Sequence, residues 1–170
     1  MNQQIRLLPA TEPDPALANE LGGWFEAEFG PRADRWRAPD YYVLVNRDGQ
    51  LAGRLGVLDS KLSVANQIIR VGGIGGVATK PEFRHRGVAS AMLARAAEFM
   101  ESDLSVEFGL LLCRHEVSPL YAKMGWVIVV GPTTFTRAGV TSTYPYDTMI
   151  LPLAEKTWPS GPIDMLGLPW

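Results

Sequence analysis

Val77-Ala78-Thr79-Lys80-Pro81-Glu82-Phe83-Arg84-His85-Arg86-Gly87-Val88-Ala89 is the stretch on which the fold turns. It reads as the end of an apolar strand, a short basic loop and a glycine that opens a helix. Within it, Arg84 to Ala89 fits the pattern Arg/Gln-x-x-Gly-x-Gly/Ala. The pattern suits an anion, because the first N–H groups of a helix have no partner inside it and the helix dipole makes that end positive. A glycine there removes the side chain that would hold a bulky phosphate off the backbone. Arg84, His85 and Arg86 add positive charge on the approach.

Working outward, Ile68 to Thr79 reads as the strand that feeds the loop, and Gly87 to Glu101 as the helix that leaves it. Val88, Met92, Leu93, Ala96, Phe99 and Met100 make one apolar face of that helix. Gly72, Gly73, Gly75 and Gly76 are odd for a central strand and predict a bulge or a place where a ligand lies close against the backbone. Upstream, Ile5–Leu8 predicts a short strand. Asp14 is a candidate N-cap, with Pro15 at the first position of a helix whose apolar stripe is Leu17, Leu21, Trp24, Phe25 and Phe29. Gly22-Gly23 is a candidate kink in it, and Gly30-Pro31 its end. Tyr41–Val45, a turn at Arg47-Asp48-Gly49 and a strand from Leu51 to about Val64 form a hairpin, followed by a turn near Asn66. Downstream come a buried strand Phe108–Cys113, a short helix Pro119–Met124 stopped by Gly125, and a strand Trp126–Val130.

Residues 131–170 change character, holding six of the 13 prolines and only five charged residues. One strand, Thr148–Leu151, stands out there. The final stretch, Trp158 to Trp170, is too aromatic for a disordered tail and is expected to pack on the domain.

At 170 residues the chain predicts one domain, 1–170. No apolar run is long enough for a transmembrane helix, and the N-terminus lacks the layout of a signal peptide. A lone cysteine, Cys113, excludes an internal disulfide and agrees with a reducing cytoplasm. It ends a very apolar strand and reads as core. Two histidines and one cysteine make no common structural zinc site, so no metal is expected. A net charge of −2 lacks the basic footprint of a nucleic-acid binder.

Two other glycine-rich phosphate loops do not fit. No Gly-x-x-x-x-Gly-Lys-Ser/Thr string exists, and the glycines at 72–76 sit inside a strand rather than between a strand and a helix. The Val77–Ala89 segment resembles the pyrophosphate loop of the GNAT N-acetyltransferase superfamily. Leu120-Tyr121-Ala122-Lys123-Met124-Gly125-Trp126 resembles the GNAT segment in which a short helix carries a tyrosine and ends on a glycine. The resemblance implies a single-domain α/β fold with a mixed, mostly antiparallel central sheet flanked by helices, and acetyl-CoA as co-substrate. It also implies that Arg84, His85, Arg86, Gly87, Val88 and Ala89 hold the pyrophosphate. Val77, Ala78 and Thr79 would pair with the pantetheine arm, and Tyr121 would protonate the departing thiolate.

From Leu120 onward the chain is also similar to the aminoglycoside 2′-N-acetyltransferases: Gly131-Pro132-Thr133, Gly139-x-Thr141-x-Thr143, Leu151-Pro152 and an Asp-containing end closing on Trp170. The Trp158–Gly167 stretch resembles that of the nodulation-factor acyltransferases. Both resemblances imply an amino-sugar acceptor with residues 131–170 near it, and the first implies an aminoglycoside antibiotic as that acceptor, with resistance as the role. Candidate acceptor contacts are then Gly75, Glu116, Asp147, Asp164 and Trp170. The 2′-N-acetyltransferases carry a glutamate on the bulged strand where this chain has Gly75. The base is therefore open among the Trp170 carboxylate, Asp164, Glu116, His115 and an ordered water, and the change points to a smaller acceptor of the kasugamycin type. Trp36 is a candidate lid contact. A homodimer is implied by analogy alone; no membrane or nucleic-acid partner is expected.

Overall fold

Two tight hairpins organise the sheet. In the computed structural model, which describes residues 2–32 and 35–170, β1 (Gln3–Pro9) lies antiparallel on β2 (Tyr41–Arg47), and β2 on β3 (Gln50–Val64). Asp48 (φ +49°) and Gly49 (φ +82°) make the two-residue turn between β2 and β3. Ala65 (φ +48°) and Asn66 (φ +68°) make the next, into β4 (Gln67–Thr79). Left-handed pairs of this kind match the twist of antiparallel strands.

After β4 a 3-10 turn at Pro81–Phe83 leads to α2 (Val88–Ser102) and then to β5 (Phe108–Cys113), which returns parallel to β4. α3 (Ser118–Ala122) and β6 (Val127–Ile128) follow, shorter than the sequence suggests. The chain ends with β7 (Thr133–Arg137), β8 (Val140–Thr143), β9 (Asp147–Pro152) and β10 (Ile163–Asp164). The sheet runs β6-β9-β5-β4-β3-β10-β7-β8, with β1 and β2 branching from the first part of β3. One strand was expected after residue 131 and four form. β7 and β8 are rich in threonine and mostly half or fully exposed, so they carry β-branched propensity with little apolar face to betray it.

α1 (Pro15–Phe29) starts as read: the Asp14 carboxylate accepts from the Leu17 amide at 2.9 Å, with Pro15 first in the helix. It is not broken at Gly22-Gly23, since both glycines face open space and no packing forces a bend there. The predicted apolar face of α2 is buried at every position and covers one side of the sheet through Val43, Leu55, Val57, Ile74 and Leu111. The other side is shared. Leu21 of α1 packs on Leu44 and Leu51, while Ile163, Met165 and Trp170 of the tail pack on Leu58, Leu62 and Leu110. The tail is pinned by backbone bonds from Met165 to Thr134, from Thr136 to Gly167 and from Arg37 to Pro169, each donor amide within 2.9 Å of its acceptor. Among the described residues no helix is long and apolar enough to cross a membrane, and no cluster of His, Cys, Asp and Glu is arranged for a metal.

Candidate active site

β4 and β5 are paired only over Gly72–Ile74 and Gly109–Leu111, and beyond that they diverge. On its other edge β4 bulges against β3. Arg54 faces Ala78 and Gly56 faces Gly75, so β4 takes up one extra residue, with Gly76 at φ +59°. Divergence and bulge together open a cleft of about 470 Å³, within the range of small-molecule sites. Its walls come from Gly75 to Val77 on one side, Leu112 to Arg114 on the other, and α1, Tyr121, Tyr144, Tyr146 and Trp170 around them.

The four odd glycines have separate reasons. A β-carbon at Gly72 would stand 2.2 Å from the Met100 sulfur, on the α2 side. At Gly73 it would stand 2.5 Å from Cε2 of the Trp170 indole, and at Gly75 2.9 Å from the main-chain carboxyl carbon of the same residue. Gly76 forms the bulge, against Phe25 and Arg54. The bulge is present at Gly76, but what lies close against Gly73 and Gly75 is the chain's own Trp170 rather than a ligand.

On the donor side, β4 ends at Thr79 and the loop follows. His85 (φ +60°) and Gly87 (φ +76°) are both left-handed, and Gly87 is the N-cap of α2 with no side chain capping the helix. A β-carbon on Gly87 would meet nothing within 4 Å, so the space over the helix start is open. The loop is braced from outside. Arg47 donates to the Arg86 carbonyl at 3.0 Å; Arg84 Nε donates to the Thr79 carbonyl at 3.1 Å, while its Nη2 lies 3.6 Å from Glu28. Arg84, His85 and Arg86 remain exposed, so two guanidinium groups and an imidazole stand over free helix amides.

On the acceptor side, Tyr121 of α3 is buried in the cleft wall, edge-on to Trp126 at 6.3 Å. Burial pushes its hydroxyl well above the ordinary tyrosine range, with Cys113 and Tyr144 adding to the shift. Burial raises Tyr144 as well, to about 12, and Cys113 to about 11, so both are protonated at neutral pH. The structure brings Gly75, Val77, Tyr121 and Trp170 together with the half-buried Trp36. It leaves three predicted contacts outside the lining. Glu116 is exposed on the turn after β5, the Asp164 carboxylate accepts from the Leu166 amide at 2.9 Å, and Asp147 pairs with His115 at 2.9 Å. The Asp164 carboxylate therefore caps a turn, because its backbone is held in β10 and the nearest unpaired donor is local.

Sequence reasoning missed Tyr144, Tyr146 and Arg114 in the wall, and also Arg54. That guanidinium is 1% exposed, donates to the Leu21 carbonyl at 2.7 Å and is lowered to about 10 by burial. With Arg32, Arg37, Gly75 and Trp170 it surrounds a cavity of about 10 Å³, room for one water. Only the Tyr144-Pro145-Tyr146 spacing, which sends both rings the same way from an extended segment, carried a signal.

The model of the acetyltransferase (GNAT) domain matches residues 19–129. This chain belongs to the GNAT acetyltransferase family. As a GNAT protein it is an acyltransferase with acetyl-CoA as co-substrate. No curated protein matches the sequence. Among solved structures, the GNAT protein YhbS of Escherichia coli in complex with CoA is similar at a TM-score of 0.70 and 14% identity, over 96% of this chain and 89% of that one. Escherichia coli ElaA is similar at 0.66 and 13% identity, over 88% and 99%. An acyl-CoA N-acyltransferase from Pseudomonas aeruginosa is similar at 0.61 and 16%, again over 88% and 99%. At these identities the likeness concerns the fold: the expected single-domain α/β GNAT fold with its mixed sheet. The donor side fits the co-substrate on its own terms. It offers an open cradle over a left-handed glycine, cations above it, and a stretch of β4 beyond Ile74 with no β5 partner.

Proposed function

We propose that this GNAT protein acetylates an amino group of a small amino sugar of the kasugamycin type, a reaction that confers resistance when that sugar is an antibiotic. Bound acetyl-CoA supplies a thioester carbonyl for the amine to attack and a thiolate as leaving group. The residues around it divide the work. Backbone groups of Val77, Ala78 and Thr79 take the pantetheine arm as an added strand, and the amides and cations of Arg84 to Ala89 take the pyrophosphate. Tyr121, which burial keeps protonated, donates its proton to the departing sulfur.

The observation that carries the amino-sugar reading is the seat of Trp170. The residue that closes the amino-sugar-type tail lies on Gly73 and Gly75, at the head of the cleft. The Trp170 main chain stands 2.9 Å from where a Gly75 β-carbon would lie, the position at which the 2′-N-acetyltransferases carry their strand glutamate. Phe25, Phe29, Tyr144 and Tyr146 offer aromatic faces to a sugar ring. Glu28 is the one acidic side chain in the wall, which suits an acceptor with few amines rather than a polycation. The same aromatic surface favours, as a second reading, a small amine with an apolar body, or a longer acyl donor.

The test is release of free CoA from acetyl-CoA with kasugamycin, multi-amine aminoglycosides, glucosamine and simple arylalkylamines. Turnover highest with kasugamycin is expected. Preference for an arylalkylamine selects the second reading; acetyl-CoA binding with no turnover on any amine makes the protein a non-catalytic binder.

A further inference from the structure

A bound alkyl ammonium cannot attack a carbonyl until it loses a proton, and the cleft wall is short of groups that can take one. Tyr144 and Cys113, at about 12 and about 11, are already protonated at neutral pH. Glu28 is engaged with Arg84. Just outside the wall, however, β9 lies antiparallel on β5 with Asp147 opposite Cys113, and the chain leaving β5 turns back so that His115 Nδ1 stands 2.9 Å from Asp147 Oδ1. The Asp147 side chain is 16% exposed and that of His115 is 63% exposed. The imidazole is edge-on to Tyr146 at 5.6 Å, and Tyr146 to Tyr144 at 5.8 Å. Arg114, Tyr144 and Tyr146 all line the cleft, so the imidazole stands at its rim.

We infer that His115 is the proton acceptor for the acceptor amine and that Asp147 is its positioning residue. A partly buried carboxylate bound to Nδ1 fixes the hydrogen there and leaves the Nε2 lone pair free, while the exposed ring can return its proton to solvent. An N–H bond of the ammonium breaks and its proton passes to Nε2 directly or across one water. The freed lone pair forms the C–N bond, the C–S bond breaks, and sulfur takes the Tyr121 proton. The second proton of the attacking nitrogen leaves through solvent and restores Tyr121. One proton in all is released to the medium, by His115. The charged and titratable groups around the imidazole are Asp147 from β9, Arg114 and Glu116 from its own turn, and Tyr146 from the segment before β9.

The inference rests on amine acetylation as the reaction and has its own test. The pH profile of kcat/KM for the best amine is measured in the unaltered protein, His115→Gln and Asp147→Asn, alongside the Kd for acetyl-CoA. His115 is largely exposed and Asp147→Asn keeps the shape of its side chain, so folding survives the changes. The expected result is an acidic limb from one ionisation. His115→Gln would abolish the limb and lower kcat/KM on the order of 10². Asp147→Asn would displace the limb, and neither change would alter acetyl-CoA affinity. A purely structural pair would leave the limb in place. Turnover with the limb unmoved in His115→Gln overturns the dyad while leaving the proposed function standing; an unaltered protein that acetylates no amine overturns both.

Discussion

The two sides of the cleft are made in different ways. The side proposed to take the donor is one continuous run, Val77 to Ala89, and what it offers is backbone: an unpaired strand edge, a left-handed glycine and the open amides of a helix start. The acceptor side is gathered from α1, from Trp36, from Tyr144 and Tyr146, and from Trp170, and works through side chains. A backbone device needs few residue types at fixed spacing, whereas an assembled wall needs a whole fold to exist first. The division teaches where specificity resides: one half of the cleft states the co-substrate and the other must state the amine.

Tyr121 stands where the two sides meet, and its loss should have the largest effect. Tyr121→Phe is expected to lower kcat on the order of 10²–10³ with acetyl-CoA affinity by calorimetry unchanged; a matching loss of affinity would move the residue to the donor side. The raised pKa of Tyr121 favours its protonated form, and that form persists as pH rises, so no loss of kcat from this group is expected up to pH about 10. A basic limb near neutrality that vanishes in Tyr121→Phe would contradict the assignment.

Gly73→Val places atoms where the Trp170 indole lies and should raise the acceptor KM at least about tenfold, since a core site cannot absorb the added volume without displacing its neighbour. Equal damage to acetyl-CoA binding would break the division. Gly87→Val is the mirror experiment. It fills the open cradle and forces a β-branched residue to φ +76°, at a strain of about 1–2 kcal/mol. Acetyl-CoA Kd should rise about tenfold with the acceptor KM unmoved, and a constant Kd would discard the cradle. Cys113 reports on the acceptor wall without any substitution. With its thiol pushed up to about 11, labelling at pH 8 should run about two orders of magnitude slower than for an exposed cysteine. Rapid labelling would mean that the acceptor wall opens to solvent.

The same division explains what was legible in the sequence. Loop, helix face and hairpins follow local rules, and Asp14, Gly49 and the buried residues of α2 stand where spacing puts them. The glycines of β4 signalled a bulge or a close ligand, and the chain's own Trp170 fills the second role. Gly73 and Trp170 are far apart in sequence, and only the finished sheet brings them together. His115 and Asp147 were each visible as polar residues near a strand end, yet their pairing depends on the β5–β9 register, which no local pattern encodes. β8 escaped because hydrophobic periodicity cannot report a strand with no buried face, and β7 because the inward side of Thr133-Thr134-Phe135 is carried by a threonine and one phenylalanine.

The parting of β4 and β5 has a consequence beyond catalysis. It places two open strand edges in the middle of a sheet rather than at its rim, and open edges invite pairing with any extended chain. While the cleft stands empty the protein carries an internal template for misassembly, and a co-substrate that lies along β4 shields it. Acetyl-CoA would then act as a folding partner as well as a reactant.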